Sequence, residues 1–402
     1  MKAVILAAGK GTRMLPLTDT MSKGMIPVAN QPLLAWTVQF LDFCKEIILV
    51  VNEDQRDIIS YFINDPRIKL VFQDKPLGTG HALLCAEKFV EDKFLIVYGD
   101  DIYGKDDIRS VAEMDAPVIS SFRSENPKAY GVLEVENNCI LGLEEKPEKP
   151  KSDLVNCGLY LVDMSIFDAL KKIPLSPRRE YELTDAIKIL IRTGKVKNYT
   201  VGTWIPLSYP WNILDANKYM LDKYGSQIDP SVELRPGAVI EEPVSIAAGS
   251  VIGPNCYIRK YSSIGRNCKI GQAVEVKNSI VMDNSFVSHL AYVGDSIIGR
   301  SCNIGGGTLF ANLRLDDKNV KMEVNGIRID SGRRKLGAVI GDNVKLGARV
   351  TVMPGKRIWP GLVIPACMTV EEDIKSEVPL SRYGRPVADE ELPSQRLEKT
   401  GE

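Results

Sequence analysis

Residues 251–276 read Val251-Ile252-Gly253-Pro254-Asn255-Cys256-Tyr257-Ile258-Arg259-Lys260-Tyr261-Ser262-Ser263-Ile264-Gly265-Arg266-Asn267-Cys268-Lys269-Ile270-Gly271-Gln272-Ala273-Val274-Glu275-Val276. An aliphatic side chain returns at every sixth position: Ile252, Ile258, Ile264, Ile270, Val276. The same step recurs at Ile340, Leu346, Val352, Ile358, Ile364 and Val370, often with a small residue following, as in Ile304-Gly305 and Leu346-Gly347. A helix needs apolar spacings of three and four, and an ordinary strand a spacing of two. A fixed step of six, with one inward aliphatic per short strand and glycine at the corners, predicts a β-helix of hexapeptide coils. The repeat breaks between Ala311 and Leu336. There Asn325-Gly326, flanked by alternating residues, predicts a hairpin, read as a loop or arm projecting from the stack.

Residues 1–225 lack this period. Buried-strand runs at Lys2–Ala7, Glu46–Val51, Lys69–Phe72, Phe94–Val97, Val118–Ser121 and Leu159–Val162 alternate with amphipathic stretches such as Pro32–Cys44 and Leu183–Arg192. That alternation predicts an α/β, doubly wound, Rossmann-like fold with a mostly parallel sheet, whose ligands sit at the carboxyl ends of the strands. The chain of 402 residues is thus expected to divide into 1–225, a β-helix at 230–376, and a polar, Pro-containing tail at 377–402, loosely held. Lys plus Arg (51) nearly balance Asp plus Glu (52), which argues against a generic binder of nucleic acid or anionic membrane. No apolar run approaches the roughly 20 residues of a membrane span, and the apolar opening is too short for a signal sequence. A cytoplasmic protein is expected. Eight scattered cysteines without a CxxC pair read as reduced thiols, and only two histidines, His81 and His289, exclude a His-rich metal centre.

The first strand runs into Ala8-Gly9-Lys10-Gly11-Thr12-Arg13-Met14, with Lys23 ten residues beyond Arg13. A glycine-rich turn after a first strand brings backbone N–H groups to a phosphate, although the P-loop spacing is absent and a plain tight turn is the alternative. The wider pattern favours the phosphate. Leu6-Ala7-Ala8-Gly9-Lys10-Gly11-Thr12-Arg13-Met14 is followed by Ser22-Lys23-Gly24-Met25-Ile26-Pro27-Val28, then Gln73 with Leu77-Gly78-Thr79-Gly80-His81-Ala82. Tyr98-Gly99-Asp100-Asp101, Tyr130-Gly131-Val132, Glu144-Glu145-Lys146-Pro147 and Asn156-Cys157-Gly158 come next. This order resembles the sugar-1-phosphate nucleotidylyltransferases over about 200 residues.

The resemblance implies that a sugar-phosphate oxygen attacks the α-phosphorus of a nucleoside triphosphate and pyrophosphate leaves. Arg13 and Lys23 would neutralise phosphate charge, which suits a transfer that depends on positioning and electrostatics. Leu6, Ala8, Gly9, Gly11, Thr12, Gln73, Gly78 and Thr79 would surround the nucleotide. Asp100 would hold Mg²⁺, a hard cation that prefers carboxylate oxygens. Gly131, Glu145, Lys146 and Asn156 would surround the sugar, with a turn for Gly131 and a surface charge for Lys146 as plainer readings. His81 reads as a structural part of its loop. Many relatives place a second metal aspartate shortly after a Trp; here Trp204-Ile205-Pro206 puts proline there, so weakened nucleotidyl transfer is expected unless Asn212 or Asp215 substitutes.

Within the repeat lie Val287-Ser288-His289-Leu290-Ala291-Tyr292 and Cys302-Asn303-Ile304-Gly305-Gly306-Gly307-Thr308. A lone histidine is usually structural, but His289 is read as sitting at a slip of the six-residue register and pointing outward. Arg259, Val274-Glu275-Val276-Lys277, His289, Tyr292, Asn303 and Asn312 follow an order that resembles the acetyltransferase half of the bifunctional glucosamine-1-phosphate acetyltransferase/N-acetylglucosamine-1-phosphate uridylyltransferases. By that resemblance His289 is the base for the sugar amine, as imidazole titrates near neutrality. Arg259, Lys277, Tyr292, Asn312, Lys318 and Lys321 would hold the sugar phosphate, and Asn303, Gly306, Gly347 and Ala348 acetyl-CoA. A left-handed β-helix and a homotrimer with coenzyme A between coils are implied. Asn312-Leu313-Arg314-Leu315-Asp316-Asp317-Lys318 and Ser331-Gly332-Arg333-Arg334-Lys335 look more like archaeal relatives, leaving glucosamine or galactosamine open.

The leading expectation is a bifunctional transferase that N-acetylates a hexosamine 1-phosphate and then couples it to UTP (or dTTP). Two rivals stay open: a nucleotidylyltransferase for a neutral sugar phosphate whose β-helix only oligomerises it, and a regulatory scaffold with a decayed nucleotidyl site.

Overall fold

A computed structural model describes residues 1–376; the expected tail at 377–402 lies outside the described residues. Residues 1–224 form a nine-stranded sheet in the order 68–72, 46–51, 2–6, 94–98, 154–162, 118–123, 197–200, 139–145, 131–136. The first four strands run parallel, in register from Lys2↔Glu46 and Lys2↔Phe94. Their side chains alternate between two cores, as the pleat requires. Ala3, Ile5, Ile47, Leu49, Leu95 and Val97 face the side covered by helices 33–40, 105–112 and 212–224. Val4, Leu6, Ile48, Val50, Phe94 and Ile96 face the side covered by helices 165–170 and 183–193. Burial on both faces is why these strands read as unbroken aliphatic runs.

The expectation of a mostly parallel sheet needs correction. Strand 154–162 runs antiparallel to both neighbours, and 139–145 runs antiparallel to 131–136 and 197–200. For the pair 131–136 and 139–145 the cause is local: Asn137 and Asn138 both take positive φ (49° and 60°), the backbone of a two-residue hairpin that reverses the chain.

Helix 212–224 ends at Gly225 (φ 74°), and the first coil strand begins at Gln227. From there three seven-stranded parallel sheets form the faces of a β-helix, each coil supplying one strand per face. The aliphatics at the six-residue step all point inward: Ile252, Ile258, Ile264, Ile270, Val276, Ile340 and Val352 are fully buried. The register slip lies elsewhere than expected. Inward residues step by six from Val281 to Val287 to Val293, and by five from Val276 to Val281 and from Val293 to Ile298. The shortened corners are therefore those at Asn278-Ser279 and Asp295-Ser296, and His289 occupies a corner of ordinary length.

An apolar cluster and a buried amide are among the contacts that join the halves. Outward residues of the first β-helix face, including Ile280, Ile297 and Val339, are buried in the same apolar cluster as the N-terminal helices. Asn217, fully buried on helix 212–224, accepts from the Ala29 amide (2.8 Å) and the Ser263 hydroxyl (2.7 Å) and donates to Tyr261 O (2.9 Å). The stretch 311–338 forms the expected hairpin (321–324 with 327–330, Asn325 φ 49°, Gly326 φ 78°). It does not project as a free arm: alternating Met322 and Val324 are buried in that shared cluster. No helix among the described residues is long and apolar enough to cross a membrane.

Candidate active sites

Four parallel strands end side by side at Leu6, Val51, Phe72 and Tyr98, and the segments leaving them carry the first set of candidate residues. Ala7 N bonds Val50 O, Gln73 N bonds Val51 O and Gly99 N bonds Leu6 O, so the strand ends are laced before the loops diverge. Leu6 and Ala8 are buried, whereas Gly9, Thr12 and Arg13 are exposed on the loop. Gly11 adopts φ 64°, and a Cβ there would meet Lys23 Cβ at 3.0 Å, so glycine lets the two basic segments approach. Lys23 Nζ lies 2.5 Å from Asp100 Oδ2, and the Asp100 side chain remains 40% exposed. The Arg13 guanidinium lies over the Tyr209 ring, 5.8 Å from its centroid, and Tyr209 stacks on Trp211 at 4.6 Å.

The Gln73 amide is buried and ties its loop, donating to Gly78 O at 3.0 Å and meeting His81 Nδ1 at 3.1 Å. That contact gives His81 the structural place expected of it. Gly78 takes φ 92° with Glu180 Cβ and Tyr181 O only 2.8 Å from a hypothetical Cβ, and the Thr79 hydroxyl accepts from the Leu183 amide. Gly131 and Glu145 are direct partners across the 131–136/139–145 hairpin, and Asn156 on the adjoining strand faces the same spot. Asn156 donates to Tyr160 OH at 2.8 Å, and Lys146 is exposed at the end of its strand with φ 46°.

Pro206 lies directly opposite Asp101 in the short pairing of 204–206 with 101–103. It stands beside the acidic pair and offers no side-chain ligand. Neither suggested substitute is free: Asp215 is paired with Arg333, and Asn212 Oδ1 accepts from the Tyr209 amide. Asp101, which the sequence reading did not single out, is buried and accepts from Trp204 Nε1 at 2.9 Å. Burial, with the Asp100 charge beside it, pushes its carboxyl up to about 7. Among the described residues no three His, Cys, Asp or Glu side chains gather as a closed metal cage. The half-open Asp100 carboxylate fits Mg²⁺ as a single protein ligand, the remaining positions suiting phosphate oxygens and water.

On the β-helix the candidates sort into two corner columns. His289, exposed, ends strand 286–289 between the second and third faces. Its carbonyl accepts from Gly307 N, Gly306 O accepts from Arg349 N, and Ala348 O accepts from Cys367 N. His289, Gly306 and Ala348 therefore stack on successive coils, Gly347 just below the last. Asn303 is exposed on the second face between Phe286 and Lys345. Among the described residues the His289 ring makes no hydrogen bond.

The second column edges the same third face. Lys277 Nζ lies 3.2 Å from Asp295 Oδ2, Asn312 Nδ2 donates to that oxygen at 2.6 Å, and Asn312 also reaches Tyr292 OH at 3.1 Å. The structure thus brings Lys277, Tyr292 and Asn312 together around a carboxylate missed in the sequence, nearly buried and also receiving Asn278 Nδ2 at 2.7 Å. The signal was available in Gly294-Asp295, a carboxylate at a shortened corner. Arg259 stands lower in this column and is taken up by Glu275 (3.2 Å) and Glu241 (3.5 Å). Lys318 and Lys321 are exposed on the folded-back arm, outside this cluster.

A family model described as nucleotidyl transferase matches residues 2–220, and one described as GMPPB C-terminal domain matches 240–352. The chain is 45% identical over 396 residues to the Bifunctional protein GlmU of Methanocaldococcus jannaschii, covering 94% of this chain and 96% of that one. It is 41% identical over 393 residues to the bifunctional sugar-1-phosphate nucleotidylyltransferase/acetyltransferase of Sulfurisphaera tokodaii (90% and 97%). A solved Bacillus anthracis structure, assigned as a glucose-1-phosphate thymidylyltransferase and holding sucrose, aligns with TM-score 0.51 at 26% identity, over 55% of this chain and 96% of that one.

Proposed function

The chain belongs to the bifunctional sugar-1-phosphate nucleotidylyltransferase/acetyltransferase family, and from that premise we propose that it performs two transfers at two sites. The β-helix takes the acetyl group of acetyl-CoA onto the amine of glucosamine 1-phosphate, or of galactosamine 1-phosphate. The α/β half then couples the N-acetylated sugar phosphate to UTP, releasing pyrophosphate. We propose the matching division at 1–225 and 230–376, a left-handed coil, a homotrimer and a cytoplasmic location. The observation that carries the reading is one chain presenting both the Lys23–Asp100 pair at the strand ends and the His289 corner above a third face lined by Lys277, Tyr292 and Asn312.

In the first transfer the amine nitrogen attacks the thioester carbonyl carbon, the C–S bond breaks, and the sulfur leaves as coenzyme A. His289 takes the amine proton; a positioned base is worth about 10²–10⁴-fold. Lys277, Tyr292 and Asn312 hold the sugar phosphate, with Arg259, Lys318 and Lys321 as outer contacts. Asn303, Gly306, Gly347 and Ala348 line the course of acetyl-CoA. In the second transfer a phosphate oxygen of the sugar attacks the α-phosphorus while the bond to the pyrophosphate oxygen breaks. Mg²⁺, when held by Asp100 and the phosphates, supplies positive charge there. Arg13 and Lys23 neutralise the phosphates, Leu6, Ala8, Gly9, Gly11, Thr12, Gln73, Gly78 and Thr79 cradle the nucleotide, and Gly131, Glu145, Lys146 and Asn156 receive the sugar.

A second reading has its own observation. Pro206 beside Asp101 leaves the nucleotidyl site one carboxylate short, which favours slow nucleotidyl transfer. Coenzyme A release and pyrophosphate release, assayed separately over sugar phosphates and nucleotides, test both. Release of both products supports the bifunctional reading. Pyrophosphate alone, from neutral sugar phosphates, supports a nucleotidylyltransferase on an oligomerising β-helix.

A further inference from the structure

The segment 11–25 carries both Arg13 and Lys23, yet much of it is held by the other half of the chain. Within its own half it is tied by Lys23 to Asp100 (2.5 Å) and by Ser22 to Asp57 through its amide (2.7 Å) and hydroxyl (2.5 Å), while Thr18 Oγ1 donates back to Gly11 O at 2.9 Å. Between these anchors the β-helix reaches in. Arg357 donates from Nη1 to Leu15 O at 3.1 Å, Arg300 from Nη2 to Thr20 O at 3.0 Å, and the Thr20 hydroxyl donates to Asp342 Oδ2 at 2.8 Å.

The groups that reach in are themselves fixed. Arg357 is 3% exposed and forked onto Asp373 (2.9 and 2.6 Å), leaving Nη1 to point at the segment. Arg300 is forked onto Asp342 (2.8 and 2.5 Å), which is buried and also accepts from the Arg300 amide. Arg357, held by its carboxylate through Nε and Nη2, presents Nη1 on the other side, and Arg300 uses Nη2 for both Asp342 and Thr20 O. A planar guanidinium fixed by a carboxylate keeps its donors in preset directions, which an ammonium cannot copy. Leu15 is two residues from Arg13, and Thr20 is three from Lys23. Each clamp therefore acts within one turn of a group that neutralises phosphate.

We infer that Arg300, Asp342 and Arg357 of the β-helix are positioning residues for nucleotidyl transfer, holding the 11–25 segment so that Arg13 and Lys23 meet the phosphates. This rests on the nucleotidyl reading above. It assigns the β-helix a part in the first half's chemistry, besides its own acetyl transfer. A misplacement of about 1 Å in such a site can cost as much as 10²-fold.

The test uses the full-length chain. Thr20→Val deletes the hydroxyl at constant shape on an exposed residue, Thr20→Ser retains it, and a double Arg300→Lys/Arg357→Lys variant keeps the charges but loses the forks. Amide hydrogen exchange over residues 12–22 and pyrophosphate release from UTP with N-acetylglucosamine 1-phosphate are the readouts, with coenzyme A release and thermal midpoint alongside. Expected are faster exchange in that segment and a fall of about tenfold in pyrophosphate-release kcat/KM for the double variant. Thr20→Val should show a smaller fall, Thr20→Ser should restore it, and coenzyme A release should stay within about twofold. Unchanged exchange with unchanged pyrophosphate release overturns the inference, as does a parallel loss of both activities tracking the thermal midpoint. If the parent chain releases no pyrophosphate, the nucleotidyl reading fails, and the exchange rates still decide whether the clamp exists.

Discussion

At the scale of single residues the two proposed chemistries can be separated. His289 is exposed and among the described residues its ring bonds nothing, so His289→Ala should leave folding intact. Coenzyme A release should fall about 10²–10⁴-fold while pyrophosphate release persists. Asp100→Ala should give the reverse in the same paired assays; near-normal acetylation by His289→Ala would place the base elsewhere. Asp295 makes a subtler prediction. Its carboxylate accepts from Lys277, Asn278 and Asn312, and an amide in its place turns one acceptor into a donor facing donors. Asp295→Asn should therefore raise KM for the hexosamine phosphate about tenfold with a smaller change in kcat, since a lost buried acceptor costs about 1–3 kcal/mol. At Pro206, opposite Asp101, Pro206→Asp should increase pyrophosphate release and lower its Mg²⁺ requirement. Brisk parent turnover with no response would show that the second ligand belongs elsewhere.

At the scale of the element, Gly305 and Gly306 of one coil corner have different reasons. A Cβ on Gly305 would come within 2.5 Å of the Gly347 backbone on the next coil, which cannot move without opening the ladder. A Cβ on Gly306 would meet only His289, its Cβ at an ordinary 3.4 Å and its carbonyl oxygen at 3.8 Å. Gly305→Ala should thus lower the thermal midpoint, by the overpacking cost of about 1–3 kcal/mol. Gly306→Ala should keep the midpoint and reduce coenzyme A release by crowding the corner beside His289. Calorimetry beside the acetylation assay distinguishes the two. The hairpin 321–330 illustrates the limit of local reading. Asn325-Gly326 declares the turn, but the alternation of buried Met322 and Val324 with exposed Lys321 and Glu323 means something only once a surface lies beneath it.

At the scale of the whole molecule, the halves are chemically distinct yet share an apolar cluster and a polar strap. Asn217 satisfies the Ala29 amide, the Ser263 hydroxyl and the Tyr261 carbonyl at once, all away from water. Asn217→Leu strands these groups, at about 1–3 kcal/mol for an unsatisfied buried group. Its thermal midpoint should drop by several degrees, and proteolysis near Gly225 should quicken. A variant as stable as the parent would show that the Asn217 amide is dispensable to the joint between the halves. Ile280, Ile297 and Val339 also predict that a fragment of residues 1–225 aggregates or melts earlier than the same residues in the intact chain.

The repeat, the two architectures and the strand-end placing of most of the first candidate residues were determined by the sequence itself, because each depends on local rules. A step of six admits one inward residue per short strand, glycines at 11 and 78 supply the positive φ their turns require, and a carboxylate after an aliphatic strand ends at the sheet's carboxyl edge. The mixed strand directions, the shortened corners at Asn278 and Asp295, the folded-back arm and the grip of Arg300 and Arg357 on Thr20 and Leu15 were decided only in three dimensions. The last joins residues separated by 280 and 342 positions. Side chains so far apart in the chain leave no periodic trace. Their partners are backbone carbonyls, which every residue carries, so nothing in the letters marks which one will be met.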